Sequence, residues 1–193
     1  SRRDEVVDLS AEDEALTAAF GRAGNVVLGY FFRTGSAHPP DDDSSELPDL
    51  PILQAGGDLS RSEVPPRAAV EENLPALAAA AAGQGFYDQE PESGVHRHYQ
   101  LVARYRGFHY PSLALAAVAL FEGEAPEISL PDGVPEIELG GRRITTNERG
   151  RLWINYRGPT RSFEQISAAR VLAGELPAGA LADRLVFVGF TEA

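Results

Sequence analysis

Two histidines have a spacing that permits metal binding. His96 and His98 stand two residues apart, so in an extended strand both side chains project to the same side, and zinc accepts ligands at such a spacing. A zinc site also needs a third and a fourth ligand, and no motif places them. An exposed polar face of a strand explains the pair without a metal, and we favour that interpretation.

A serine and an acidic triplet have the residue types of a nucleophilic site and of a calcium site. Ser112 stands near His109, which are the residue types of a nucleophile and a base, but no Gly-x-Ser-x-Gly motif is present. A serine in the first turn of a helix more often caps it. Residues 41–43 are all Asp, whereas calcium loops alternate their ligands and add Gly and Glu. We interpret Ser112 as a cap and the triplet as solvated loop.

Six arginines cluster between residues 142 and 161. A carboxylate or phosphate ligand would be held there by bidentate guanidinium contacts, and pairing with surface Asp and Glu is the alternative. We favour surface pairing, because exposed ion pairs are common and worth little. The clustered residues are Arg142, Arg143, Arg149, Arg151, Arg157 and Arg161.

Composition excludes several classes of function. The net charge of −12 argues against nucleic-acid binding and against a helix on an anionic membrane, since both require clustered positive charge. The chain has no Cys and therefore no disulfide framework. We find no Walker loop, no dinucleotide-binding glycine motif and no His-Glu-x-x-His, so we expect no enzyme activity, no cofactor and no metal in this segment. Because the chain starts at Ser1 and has no Met, we expect it to be part of a longer protein.

The pattern near the C-terminus predicts a strand, a helix and a second strand. The first strand carries Trp153 and ends before Gly158 and Pro159, and a helix runs from Ser167, its cap, to Gly174. The apolar run Leu185–Val188 is typical of a central strand buried on both faces. This alternation indicates an α/β fold.

Elsewhere the same signals recur. A helix starts at Ser10, with Asp13 completing a capping box, and a buried strand ends at Phe32. We predict a mixed, largely parallel central sheet with helices on both faces and an antiparallel meander over about residues 134–157, in a single domain of residues 1–193. The other predicted elements are an irregular loop 33–66, helices Asn73–Gly83 and Pro111–Gly123, strands Gln84–Tyr87 and Val95–Tyr105, and a hairpin through Gly140 and Gly141. In the helix Pro111–Gly123, a stripe of Leu113, Ala116, Ala117 and Leu120 should cover the sheet.

Five short motifs, in order, resemble one known family. They are Gly85 with Gly94–Arg97, Pro111–Ala114, Ile154–Gly158, Ser167–Gly174 with Val171 and Leu172, and Leu185–Gly189. Together they resemble the type-two CHASE domain, the cyclase- and histidine-kinase-associated sensory extracellular domain, over most of the chain from about Asp8.

The resemblance implies a setting and a mechanism. Such domains are extracytoplasmic (periplasmic) input modules of bacterial inner-membrane receptors with a nucleotide cyclase or kinase output, such as two-component systems. We therefore expect a homodimer within a parent receptor, tethered to the membrane by segments outside this chain, with an unknown small-molecule or protein ligand. We also expect an incomplete domain that lacks N- and C-terminal portions and leaves a sheet edge open.

The expected ligand-binding residues lie mostly near the predicted strand ends. They are Asn155, Tyr156, Arg157, Arg97 and Thr191. Asn155 and Tyr156 could instead be structural. The Asn side chain would then hydrogen-bond to a turn, and the Tyr ring would pack against the protein with its hydroxyl hydrogen-bonded. A ligand-free dimerisation or scaffold domain, using the two Ala-rich helices, and a free-standing α/β enzyme remain alternatives.

Overall fold

The computed structural model describes residues 9–33, 50–88, 96–159 and 162–189. The chain divides into two compact units, Ser1–Trp153 and Ile154–Ala193. Four helices are described: α1 (Ala11–Ala23), α2 (Pro75–Ala80), α3 (Leu113–Glu122) and α4 (Ala168–Leu172). The described strands are β1 (Val27–Arg33), β2 (Gln54–Ala55), β3 (Ala69–Glu71), β4 (Gly83–Phe86), β5 (His98–Gln100), β6 (Val102–Tyr105), β7 (Phe108–Pro111), β8 (Glu127–Ser129), β9 (Glu136–Leu139), β10 (Arg142–Thr145) and β11 (Arg151–Trp153). The mixed α/β class is confirmed.

Helix α1 begins at the capping box expected from the sequence. The Ser10 hydroxyl accepts a hydrogen bond from the Asp13 N–H at 3.1 Å, and the Asp13 carboxylate accepts one from the Ser10 N–H at 3.3 Å. The helix ends at Gly24, whose φ of 65° is the left-handed conformation that glycine adopts without strain.

A three-stranded sheet in the order β3-β1-β4 occupies the middle of the first unit. β1 and β4 are parallel, with Tyr30 opposite Phe86, and β3 is antiparallel to β1. Helix α3 lies very close to β4: a Cβ atom added to Gly85 would come within 2.6 Å of the Leu113 backbone. The predicted buried strand ending at Phe32 and the predicted strand Gln84–Tyr87 are therefore confirmed as β1 and β4.

An aromatic cluster joins this sheet to the antiparallel hairpin β6–β7. The Phe32 ring lies 5.5 Å from Tyr30, 5.6 Å from Tyr105 and 5.7 Å from Tyr110, measured between ring centroids. Tyr30, Phe32 and Tyr110 are each at most 2 % exposed. Rings at these separations gain edge and offset contacts beyond the area they bury, so the cluster fixes the hairpin on the sheet.

A second core lies over the sheet β10-β9-β8-β2. The β9–β10 hairpin turns through Gly140 and Gly141, which have φ of 57° and 71°, as a two-residue loop between twisted strands requires. The predicted hairpin and its meander are therefore present, although β11 pairs with β5 instead of with β10. The buried residues of this core are Leu53, Leu101, Val102, Leu115, Ala119, Ile128, Ile137 and Leu139.

Helices α2 and α3 differ in detail from their predictions. α2 ends at Ala80, and Gly83, predicted to stop that helix, is the first residue of β4. Pro111 ends β7, so Ser112 is the N-cap of α3. The fully buried residues of α3 are Leu115, Ala117 and Ala119. Of the predicted stripe, Ala117 is therefore buried and Leu113 lies against Gly29 and Gly85 of the sheet, as predicted, whereas Ala116 and Leu120 are half-buried. Leu115 and Ala119 belong to the second core, so the helix packs on that core as well as on β4.

The predicted strand Val95–Tyr105 is interrupted at Leu101. The N–H groups of Leu101 and Val102 both approach the Gly150 carbonyl, at 3.0 and 3.3 Å, and both side chains are buried. The strict alternation over this stretch is therefore wrong, because the chain changes partner between β5 and β6. Val95 lies outside the described residues. So do residues 34–49 of the predicted loop, and its described part contains the short strand β2.

The second unit departs from its prediction. Helix α4 lies inside the predicted helix, and Gly174 follows it with a φ of 68°. Ser167 is the N-cap residue of α4, as predicted, but its side chain makes no capping hydrogen bond. The predicted buried strand Leu185–Val188 is also wrong, because residues 184–189 form no strand and Val188 is 92 % exposed. A buried strand requires ladder partners, and the described part of this unit contains none.

Candidate functional site

The predicted ligand-binding residues that the structure describes are exposed. Asn155, Tyr156 and Arg157 follow β11 without regular secondary structure, and Tyr156 is 64 % exposed. Arg97, which precedes β5 in the first unit, is also exposed. Thr191 lies outside the described residues. Three consecutive residues thus expose an amide, a phenol and a guanidinium, and their role in binding stays a prediction.

The carboxyl end of the parallel pair β1–β4 carries a polar cluster that sequence reasoning missed. The Asp88 carboxylate accepts a hydrogen bond from the Phe32 N–H at 2.9 Å and forms an ion pair with Arg67 at 3.3 Å. The Arg67 and Asp88 side chains are only 11 % and 17 % exposed. Ligands of open α/β sheets bind at this end of the strands. The available signal was an acid directly after an apolar strand.

Two phenol groups lie buried beside this cluster. Among the described residues, the hydroxyls of Tyr30 and Tyr110 have no hydrogen-bond partner. Burial raises the pKa of Tyr110 to about 12, and Tyr105 adds to that effect. Burial likewise raises the pKa of Tyr30, with smaller contributions from Tyr110, Asp88 and Glu72. Both phenols therefore stay neutral and are able to donate a hydrogen bond at ordinary pH.

His109 pairs with a serine far from it in the sequence. Its Nε2 lies 2.7 Å from the Ser62 hydroxyl, and both residues are buried. Ser112 instead caps α3, where its hydroxyl accepts a hydrogen bond from the Leu115 N–H at 3.3 Å. Sequence reasoning could not find Ser62, because 47 residues separate it from His109. The local sequence signal is weak: Ser62 and Val64 alternate with the charged residues Arg61 and Glu63, and the structure buries the first two and exposes the charged pair.

The Ser62–His109 pair lacks the third group of a nucleophilic site. In such sites a carboxylate or carbonyl orients the second nitrogen of the base. Here His109 Nδ1 is buried and has no hydrogen-bond partner within the described part of the chain. Burial, with Arg104 nearby, lowers the pKa of His109 to about 4. The geometry supports a structural hydrogen bond that holds the chain around Ser62 against β7.

Of the two predicted metal-binding candidates, His98 lies in β5 and takes part in an aromatic contact, whereas His96 precedes that strand. His98 lies opposite Trp153 across the β5–β11 pair, with ring centroids 4.0 Å apart, and Trp153 is 69 % exposed. No group of three potential metal ligands occurs among the residues that the structure describes. The acidic triplet 41–43 lies outside them. Nor does any helix in the described ranges have the length and apolar character needed to cross a membrane.

The arginines of the meander make surface pairs. Arg142 is ion-paired with Glu122, and Arg143 lies 3.1 Å from the Glu136 carboxylate. The Arg151 guanidinium donates to the Gln100 side-chain oxygen at 3.2 Å. The favoured interpretation, surface pairing, is confirmed for Arg142 and Arg143. Arg161 lies outside the described residues.

Comparison with known protein families gives a match. The family model described as CHASE2 domain matches residues 1–193, the whole chain. No curated protein matches the chain. No solved structure matches it either. The resemblance drawn from the five motifs is confirmed by the family match.

Proposed function

Because the chain belongs to the CHASE2 domain family, we propose that it is the input domain of a bacterial transmembrane receptor whose output is a nucleotide cyclase or a kinase. The domains of this family are sensory and extracellular, which gives the chain a sensory role. The observation that carries the proposal is the extent of the family match, which leaves no residue of the chain unmatched. The placement in the inner membrane and the type of output belong to the proposal.

We place the ligand-binding surface at Asn155, Tyr156 and Arg157. Side chains of these types bind a small polar ligand by hydrogen bonds, and Arg157 adds a planar fork for a carboxylate or phosphate. Their exposure supports this choice. Arg97 and Thr191 remain part of the proposed set.

Signalling then requires two arrangements of a receptor dimer that bind the ligand with different affinity. A ligand shifts such an equilibrium only by its differential binding free energy. The proposed partners are therefore a second copy of the receptor and one small-molecule or protein ligand.

Topology reporters test the extracytoplasmic placement. In the parent protein, a phosphatase that is active only outside the cytoplasm should show activity when fused after residue 193. A reporter that is active only in the cytoplasm should be silent at the same position. The reverse pair of results would contradict the proposal.

An output assay tests the sensory role. Receptor carrying Asn155→Ala, Tyr156→Ala and Arg157→Ala together should reach the membrane in normal amount but respond less to the medium components that alter cyclase or kinase activity. A matched triple variant of Arg142, Arg143 and Arg149 should respond as wild type. Equal responses of the two triple variants would contradict the assignment of the ligand-binding surface to residues 155–157.

The ligand-free dimerisation domain is kept as a second candidate because the second unit exposes several large apolar side chains. Such patches commonly mark association surfaces. The Ala-rich helices are less suitable, since α2 contacts α1 and α3 covers β4. The exposed apolar residues are Phe163, Val171, Leu172, Leu181, Leu185, Val186, Phe187 and Val188.

Light scattering tests the scaffold candidate. A scaffold domain should be a dimer at micromolar concentration that Phe187→Ser converts to a monomer, whereas Phe121→Ser, at an exposed apolar residue of the first unit, should have no effect. A monomeric wild-type chain would rule out the scaffold interpretation.

A further inference from the structure

A buried polar seam attaches the segment 50–67 to the hairpin β6–β7. The His109 carbonyl accepts a hydrogen bond from the Leu53 N–H at 2.8 Å, and its ring contacts the Ser62 hydroxyl at 2.7 Å. Arg104, opposite His109 in the hairpin, donates from its guanidinium to the Ser62 carbonyl at 3.2 Å. The Arg104 carbonyl accepts from the Arg67 N–H at 2.8 Å. One cross-strand pair thus fixes both ends of the segment.

The seam suits a neutral imidazole. With its proton on Nε2, a neutral ring donates to the Ser62 hydroxyl, and only the acceptor lone pair of Nδ1 is left without a partner in the described part of the chain. A protonated ring carries N–H donors at both nitrogens, and the second donor would have no acceptor there. Unmet donors and unpaired charges in a buried site are costly.

The groups around the ring increase that cost. Arg104 on β6 is the charged group that faces His109, and both would then be positive. On the segment 50–67, Ser62 faces the ring, while the neighbouring Arg61 and Glu63 are exposed, as is Asp58. Arg67 is ion-paired with Asp88. On β7 itself, Tyr110 points to the opposite face and lies in the aromatic cluster. Among the described residues, burial and Arg104 account for the lowered pKa of His109, and no carboxylate opposes them.

We infer that the His109–Ser62–Arg104 seam is an acid-sensitive latch, in which protonation of His109 releases the segment 50–67 from the hairpin β6–β7. The inference rests on the proposed function, in that acidity outside the cytoplasm is then a stimulus of this sensory domain. The latch is closed while the imidazole is neutral. It opens when a proton on the ring places a second cation beside Arg104.

The direction of the pH effect follows from linkage. The pKa of His109 is lowered from 6.5 to about 4 in the folded chain, so the released form binds the proton more tightly. The latch has its full stability above pH 6.5 and loses it as the pH falls towards 4. Over that range the equilibrium constant for release should rise on the order of 100-fold.

Hydrogen exchange on the full chain measures the release. At pH 7 and at pH 4, exchange of the amides in residues 50–67 is compared after correction for the intrinsic effect of pH. Wild type should lose protection on the order of 100-fold at pH 4. His109→Gln keeps a hydrogen-bonding group but cannot titrate, so it should lose little. His96→Gln, the same change at an exposed histidine, should behave as wild type.

Two outcomes would overturn the latch. One is a pH response of His109→Gln as large as that of wild type. The other needs no variant: nitrogen NMR of the imidazoles would show the His109 ring protonated while residues 50–67 remain protected. Ser62→Ala should weaken protection already at pH 7 and retain its pH dependence, since the ring still titrates.

The parent receptor separates failure of the latch from failure of the proposed function. An output that ignores pH in wild type and in His109→Gln would contradict acid sensing and leave the topology result unaffected. An output that changes with acid in wild type but not in His109→Gln supports the latch as a stimulus. A cytoplasmic position of the chain would contradict the proposed function itself.

Discussion

At the scale of single residues, the interior contains polar groups whose hydrogen bonds are incomplete. The Tyr110 hydroxyl is the clearest case: the residue is fully buried and its oxygen has no partner among the described residues. A buried hydroxyl without a partner loses the hydrogen bonds that water would give it. The phenol therefore costs stability, while its ring contributes through contacts with Phe32 and Tyr105.

We predict that Tyr110→Phe leaves the free energy of unfolding unchanged or raises it by about 1 kcal/mol, because it removes the hydroxyl and keeps the ring. Tyr110→Ala should lower it by about 3–5 kcal/mol, because the ring contacts are lost and a cavity forms. Urea denaturation gives both values. A loss of more than about 1 kcal/mol in Tyr110→Phe would show that the hydroxyl has a partner, such as an internal water.

Two glycines of β4 offer a matched pair. A Cβ atom at Gly85 would lie 2.6 Å from backbone atoms of Leu113, whereas at Gly83 the nearest atoms are methyls of Val27 at 3.9 Å. Gly85→Ala should therefore destabilise the chain by about 1–3 kcal/mol, since α3 must move away from the sheet. Gly83→Ala should be tolerated. Thermal unfolding measures both, and equal midpoints would contradict the close packing of α3 on β4.

At the scale of elements, helix α3 depends on how it begins. Ser112 accepts a hydrogen bond from the Leu115 N–H and is fully buried, so its hydroxyl satisfies one of the free N–H groups of the first turn. The same residue type precedes α4, where Ser167 makes no such bond. Two serines at N-cap positions thus differ in the side-chain hydrogen bond that makes a cap stabilising.

We predict that Ser112→Ala lowers the free energy of unfolding by about 1–2 kcal/mol. Ser167→Ala should change it by less than about 0.5 kcal/mol, as is usual for exposed positions without such a contact. Denaturant titration followed by circular dichroism compares them. If the Ser112 hydroxyl were a nucleophile and not a cap, Ser112→Ala would leave stability unaltered.

At the scale of the whole molecule, sensing depends on a ligand that binds the folded chain. Any such ligand stabilises the fold by mass action, by about 2.7 kcal/mol at a concentration 100 times its Kd. The exposed guanidinium of Arg157 makes small carboxylates and phosphates the first probes to try. Arg143, held by Glu136, serves as the comparison.

We predict that at least one compound in a panel of small carboxylates and phosphates raises the Tm of the chain, and that Arg157→Ala abolishes the rise. Arg143→Ala should retain it, because its guanidinium already pairs with Glu136. Differential scanning fluorimetry is sufficient for the comparison. If the ligand still raised the Tm of Arg157→Ala, the binding surface would lie outside Asn155–Arg157.

Local signals in the chain were sufficient for much of the first unit. The capping box at Ser10, the buried strand ending at Phe32 and the two-glycine hairpin each depend on residues close in sequence, and each is present. The five motifs were likewise sufficient to identify the family, because each is a short run of residues that is read directly from the sequence. What a residue does with its immediate neighbours is determined by φ, hydrogen bonding and side-chain type alone.

Contacts between distant residues were decided by the tertiary structure. His109 meets Ser62 and not Ser112, Asp88 meets Arg67, and the strand after His98 breaks where Gly150 supplies a shared carbonyl. The apolar run Leu185–Val188 has the composition of a buried strand and is exposed nonetheless. An apolar run makes burial energetically favourable, but burial also requires another surface of the protein to pack against. The order of residues does not specify which surface packs against a given run.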